Sequence, residues 1–247
     1  MRTETYLTVQ EYRSKKGAAS IVLKAIAVAL SVYGMCRSFQ GLVSLTLFTN
    51  LSNIFMDLVL FGFMVYEIKK FKKGGKTSPP ANGWYVLKYM ATTSITLTML
   101  VYMALLAPTN PEGFVRSYLQ NGAGSLCVHL LSPLLAVIDF IIFDYYYESS
   151  RAHILFSMIP PLAYVGFVVA LAEQGVRWND TMTAPYNFIN YGAPTGWFGF
   201  DLSQMGSTTL GIGVAYNVIA VAVIFMVIGM LYLAVKNMRR RKMLGED

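Results

Sequence analysis

Two short stretches place polar groups inside otherwise apolar runs. The first reads Phe48-Thr49-Asn50-Leu51-Ser52-Asn53, followed by Asp57; the second reads Cys127-Val128-His129-Leu130-Leu131-Ser132-Pro133, followed by Asp139. Polar and ionisable groups are costly in hydrocarbon, so such positions are the first to examine for function. On a helix, a spacing of four puts Thr49, Asn53 and Asp57 on one face, and His129, Ser132, Ala136 and Asp139 share another. A hydroxyl, an imidazole and two carboxylates brought together could move protons, bind a small ligand, or form a packed polar network. In that network one carboxylate would carry a proton, because two close carboxylates repel.

The elements that must position these groups are membrane helices. The chain has 247 residues, 55% hydrophobic and 13% charged, with mean hydropathy +0.49. Soluble domains carry about 25% charged residues. The net charge of +7 lies between and after the apolar segments, not on one amphipathic face, which argues against a nucleic-acid partner. A helix needs about 20 mostly apolar residues to cross the hydrocarbon. Six segments qualify, near 18–36, 44–66, 85–107, 123–144, 153–173 and 208–235. The expected fold is therefore all-α, a single six-span membrane domain over 1–247. Continuous apolar runs rather than alternating ones argue against a barrel. No small-residue cleavage site follows the first run, which reads as a retained anchor. No internal repeat of the kind found in inverted transporters is evident.

Positive residues set the orientation. Arg2, Arg13, Lys15 and Lys16 precede the first span. Lys69, Lys70, Lys72, Lys73 and Lys76 follow the second, Arg151 follows the fourth, and Lys236, Arg239, Arg240, Arg241 and Lys242 end the chain. The opposite connections carry Arg37, Arg116 and Arg177. Both termini are thus expected in the cytoplasm, in a multi-pass protein of the cell membrane. Lys24 and Lys88 are expected to snorkel to the surface from near span ends. Cys36 and Cys127 fall near outer span ends, where a disulfide or two free thiols would both fit, the latter favoured. The 174–207 connection, rich in Trp and Tyr, lies on the outer side.

In this topology spans two and four both run inward. Counted from their starts, Thr49 and His129 lie roughly 8–9 Å deep, with Asp57 and Asp139 a further 12–15 Å down, at 1.5 Å per residue. Pro133 leaves the carbonyl of His129, four residues earlier, without its helical donor, so the helix should break at the histidine. Plainer readings stand beside these. Thr92, Thr93, Ser94, Thr96 and Thr98 suit hydrogen bonding between helices, as Thr49 alone would. Asp144 suits an interface and His153 a solvated cap.

On Phe48–Asn53, on His129 with Ser132-Pro133, and on Asp139-Phe140, the chain resembles the androgen-induced-gene-one family of integral membrane hydrolases, nearest a bacterial six-span branch. Ala184-Pro185-Tyr186-Asn187-Phe188 is similar to a Tyr/Pro/Phe motif before that family's last span, and the correspondence runs over about 18–235. Characterised animal members hydrolyse fatty-acid esters of hydroxy fatty acids. The resemblance implies Thr49 as nucleophile and His129 as base, an apolar ester from the membrane lipids as partner, and neither cofactor nor metal. A threonine hydroxyl attacks once an adjacent base takes its proton. The developing oxyanion would draw on Asn50 or Asn53. Asp57, Ser132 and Asp139 would form a supporting network or relay. The chain departs from the animal proteins in Asp57 and in its amide-rich second span, and a shared fold does not carry a substrate across. Another branch of the superfamily is thought to use a cysteine, but Cys127 and His129 diverge by about 200° on a helix, which weakens that option. Two non-enzymatic readings remain. One is a transporter or lipid-binding protein that uses Asp57, Asp139 and His129 as a relay among Met-rich spans. The other is a lipid-organising protein without turnover.

Overall fold

The computed structural model describes residues 2–73, 78–108, 110–144, 146–180, 182–204 and 211–244, with side chains from Gly17 onward apart from those of 105, 204, 240 and 242–244. Lys76, Tyr145 and Thr208, and the side chains of Arg2, Arg13, Lys15, Lys16, Arg240 and Lys242, lie outside this description. The fold is all-α, and six helical segments are long and apolar enough to cross a membrane: Gly17–Ser38, Phe48–Lys72, Asn82–Ala104, Phe114–Phe143, His153–Glu173 and Val214–Arg239. In chain order the helices are α1 (Arg2–Ser38), α2 (Phe48–Lys72), α3 (Asn82–Val101), α4 (Phe114–Leu126), α5 (Ser132–Phe143), α6 (His153–Phe156), α7 (Ile159–Glu173) and α8 (Val214–Leu244). Tyr102–Leu106 and Cys127–Leu131 are π-helical turns that extend α3 and join α4 to α5.

Packing follows from which face of each helix can be satisfied without water. Along α1 the residues Ser20, Lys24, Ala27, Ser31 and Gly34 recur at steps of four and three and are all buried, while Val22, Ile26 and Val32 face outward. The helix is amphipathic in the inverted sense a bilayer demands, with polar and small groups inward and apolar groups toward lipid. α1 packs on α2, α4 and α5, and α3 touches α2, α5, α7 and α8. Met56, Leu60, Tyr89, Ile95, Phe140 and Phe225 form the centre of the core.

Gly34 is where α1 meets α4. A β-carbon there would lie 2.6 Å from the Gly124 carbonyl oxygen and 2.7 Å from a Val128 methyl, so only glycine admits this crossing. Beside it the chain turns through Asn121, Gly122 and Ala123 in the left-handed region, at φ of 55°, 63° and 64°. Tyr33 Oη and Arg37 Nε of α1 donate to the carbonyls of Gly122 and Asn121, and hold that turn.

The break at the histidine takes the form of a π-helical turn that contains His129 and runs into Pro133 at the start of α5. A π turn absorbs one extra residue and so rotates what precedes it about the axis. The single face expected for His129, Ser132, Ala136 and Asp139 is therefore divided. Ser132, Ala136 and Asp139 are buried, as are Cys127 and Val128, whereas His129 is half-buried. Cys36 and Cys127 are both free thiols. Gly34→Leu should lower the stability of the solubilised protein by roughly 1–3 kcal/mol, the usual cost of overpacking. Gly62→Leu, where a β-carbon meets nothing within 4 Å, should leave it unchanged; thermal unfolding in detergent reads both.

Candidate functional site

Thr49 lies in the first turn of α2, and the segment before it is held from three sides. Asn50 Nδ2 donates to the Ser44 carbonyl at 2.7 Å, Tyr164 Oη to the Thr46 carbonyl at 2.9 Å, and Trp178 Nε1 to Thr46 Oγ1 at 2.8 Å. These anchors come from α2, α7 and the 174–207 connection, so the start of α2 cannot move independently of them. In front of Thr49 opens a cavity that encloses, with its mouth, about 760 Å³. Its walls come from α3 and its π turn (Leu97, Tyr102), α7 (Pro161, Tyr164), α8 (Val218, Ala222) and the loop residues Tyr186 and Phe188. Its few polar groups are hydroxyls, those of Thr49, Thr98, Tyr102, Tyr164 and Tyr186.

Tyr186 closes the cavity over Thr49. Burial raises its phenol above the usual value, offset by its approach to the Thr49 side chain and to the first-turn backbone of Phe48 and Thr49. The first amides of a helix have no partner within it, so this end of α2 presents N–H groups and a positive dipole to the cavity. Tyr186 stacks on Phe188 at 5.5 Å and packs on Tyr164 of α7 at 6.3 Å, and Trp178 bonds Thr46, so these loop residues lie as a lid against the start of α2.

His129 stands behind the cavity wall. Its ring stacks on Tyr102 at 3.7 Å and 15°, and Tyr102 lines the cavity. Nδ1 lies 2.9 Å from the Ser125 carbonyl, which can only accept; the proton is therefore on Nδ1 and the lone pair on Nε2. Ser125 Oγ donates to Tyr102 Oη at 2.7 Å, and Tyr102 Oη donates to the Ser117 carbonyl at 2.8 Å. The imidazole is thus held in the tautomer a base requires. Its hydrogen bonds run to Ser125, while Thr49 faces Tyr186. Among the described residues no hydrogen bond joins the two side chains expected to meet, Thr49 and His129. Asn53 Nδ2, which donates to the Thr49 carbonyl at 2.8 Å, also reaches the Val128 carbonyl at 3.3 Å, so the π turn sits beside Asn53, one helical turn from Thr49.

The amides expected to stabilise an oxyanion are engaged elsewhere. Asn50 supports the turn before α2, and Asn53 ties α2 to the π turn. Ser132 Oγ is buried without a hydrogen-bond partner among the described residues. In α3 the hydroxyls of Thr92, Thr93, Ser94 and Thr96 donate back to their own helix, and two contacts cross to neighbours: Thr98 with Ser52 at 2.8 Å and Thr96 with Tyr232 at 2.6 Å.

The two aspartates expected in one layer are separated. Ser31 contacts Asp57 at 2.7 Å, whereas Lys24, seven residues earlier on α1, contacts Asp139 at 2.7 Å. Seven residues span about 10 Å along a helix. Asp139 belongs instead to a buried charge network. Lys24 also meets Glu67 at 3.0 Å, and Lys88 meets Asp139 at 2.5 Å and Asp144 at 2.7 Å. Lys236 Nζ donates to the carbonyls of Phe140 and Asp144. Lys24 and Lys88 have no exposed surface, so neither snorkels, and Asp144 is buried rather than interfacial. This network is not legible from a lysine's distance to its span end, which does not tell which way the side chain points. The stripe Ser20-Lys24-Ala27-Ser31 was the available signal, since it points Lys24 inward. His153, half-buried, accepts from Tyr147 Oη at 2.8 Å and from the Ser150 N–H at 3.2 Å. No group of three or more His, Cys, Asp or Glu among the described residues could hold a metal ion.

Compared with known family models, curated proteins and solved structures, the chain matches none. The charge network carries its own consequence. Removing one partner of a buried pair strands a charge at about 3–5 kcal/mol. Lys24→Met should therefore destabilise the bundle by that order, and Lys24→Met with Asp139→Leu by less than the two single changes together, in a double-mutant cycle of unfolding in detergent.

Proposed function

We propose that this protein takes an apolar, lipid-like ligand from the bilayer into the cavity and holds the ligand's polar group against the Thr49 and Tyr186 hydroxyls. The carrying observation is a cavity before Thr49 walled by apolar side chains, with hydroxyls at the N-terminal end of α2. Such a site suits an acyl chain bearing an ester or carboxyl group, because buried polar ligand atoms need partners and the chain needs none. On the Lys and Arg positions, both termini face the cytoplasm and the lid faces outward in the cell membrane.

A second reading makes the site catalytic, a lipid-ester hydrolase with Thr49 as nucleophile and His129 as base. Two observations favour it: Thr49 opens onto the cavity, and Ser125 leaves Nε2 of His129 as the basic nitrogen. The first-turn amides of α2, which the Tyr186 phenol now approaches, would stabilise the oxyanion in place of Asn50 and Asn53 once a substrate displaced that phenol. This reading needs Tyr102 or the π turn to shift, so that Nε2 reaches hydrogen-bond distance of Thr49.

The readings separate in one experiment. Binding of a fluorescent fatty-acyl ester to purified protein should weaken several-fold in Ala222→Trp, which fills the cavity. If the site is also catalytic, a fluorophosphonate probe should label wild type but neither Thr49→Ala nor His129→Ala. Binding unchanged by Ala222→Trp would contradict the ligand site, and labelling that survives both alanine substitutions would contradict the hydrolase.

A further inference from the structure

Asp57 stands apart from the other carboxylates buried in this bundle. Glu67, Asp139 and Asp144 each meet a lysine, whereas no ion pair reaches Asp57 among the described residues. It is 9% exposed, its Oδ1 has no hydrogen-bond partner among the described residues, and its Oδ2 lies 2.7 Å from Ser31 Oγ. The same Ser31 oxygen lies 3.1 Å from Asn53 Oδ1. The Asn53 amide cannot be turned about, because its Nδ2 faces two carbonyl oxygens, those of Thr49 and Val128. Three oxygens from α1 and α2 thus stand in a row, Asp57–Ser31–Asn53, joined by two contacts of hydrogen-bond length.

A row of three oxygens with two hydrogen bonds needs two protons, and Ser31 supplies one. The Asn53 oxygen carries none. The second must sit on Asp57, whose Oδ2–H donates to Ser31 Oγ while Ser31 Oγ–H donates to Asn53 Oδ1. We propose that Asp57 is a proton-binding site, held in this bundle as the neutral acid by the Ser31–Asn53 row. The surroundings agree with this. Along α1 the flanking cations are Lys24, seven residues before Ser31 and committed to Glu67 and Asp139, and Arg37, six residues after it and turned to the Asn121 carbonyl. From the π turn, the neighbour of Asn53 is a backbone carbonyl, that of Val128. An ionised Asp57 would have no countercharge among the described residues to compensate for leaving solvent.

The proton also has a structural effect. With it in place, Asn53 is satisfied at both ends of its amide and bridges α1, α2 and the π turn. Without it, Asp57 and Asn53 compete for the single Ser31 proton, and the acceptor left over is unsatisfied in a buried site. The state of Asp57 therefore bears on the turn that carries His129, whichever reaction or ligand the cavity serves.

Infrared difference spectroscopy on the purified full chain in lipid nanodiscs tests this at neutral pH. Wild type should show the carbonyl stretch of a protonated carboxylic acid, sensitive to exchange into D₂O, and Asp57→Asn should lack it. Asp57→Asn should fold with a thermal midpoint close to wild type, since its amide N–H donates to Ser31 as the acid does. Ser31→Ala should keep the band but shift it upward, because the acid loses its acceptor. Absence of the band in wild type, or its persistence unshifted in both variants, would overturn the proposal. Should Asp57→Asn fail to fold, the Ser31→Ala shift decides alone: an upward shift supports the proposal, and an unmoved band or none overturns it.

Discussion

Everything in this bundle depends on the rule that a buried charge or hydrogen-bonding group must find its partner within the protein. Where water is absent, a lone lysine or carboxylate costs several kcal/mol, and it is kept only when geometry returns most of that. Lys24, Glu67, Asp139, Lys88 and Asp144 solve this by linking α1, α2, α3 and α5 end to end, with Lys236 of α8 closing on the carbonyls of Phe140 and Asp144. Such a network adds less to net stability than to choice of arrangement, because almost any other packing strands a charge. It sets which face of each helix points inward, and so fixes what the opposite end of the bundle can present.

At that opposite end the same rule operates through hydroxyls and amides. Asn50, Tyr164 and Trp178 clamp the segment before α2, and Tyr186 covers its first turn. Once these groups are satisfied, the space in front of Thr49 is bounded almost wholly by apolar side chains. The cavity follows from this division: charges gathered at one end, hydroxyls at the other, and room between α3, α7 and α8. His129 is built into the wall by its stack on Tyr102 and its bond to Ser125, so access from His129 to the cavity is a matter of local rearrangement in the π turn.

Hydropathy was sufficient to read the six spans, because length and apolarity alone decide them. The polar residues of α2 were also legible: Asn53 and Asp57 share a face and meet the same serine. Span four was misread in two ways. Its π turn adds a residue that period counting does not see, so His129 and Ser132 part company. Depths counted from hydropathy boundaries put Asp139 level with Asp57, although its lysine partner lies two turns from Ser31. The lid could be placed by composition but not by contact, since Tyr186 and Phe188 act through positions that only the folded loop supplies. The cavity walls from α7 and α8 left no mark, because apolar residues facing a void read like those facing lipid.

The central claim is that the cavity before Thr49 receives a lipid-like chain. A photoactivatable fatty-acyl probe, cross-linked in nanodiscs and mapped by mass spectrometry of the digested protein, tests it most directly. The account predicts adducts concentrated on Leu97–Leu106, Pro161–Val165 and Val218–Ala222, displaced by excess natural lipid and depleted in Ala222→Trp. Adducts confined to outward residues such as Leu58, Phe61 and Leu231, and indifferent to that substitution, would contradict it.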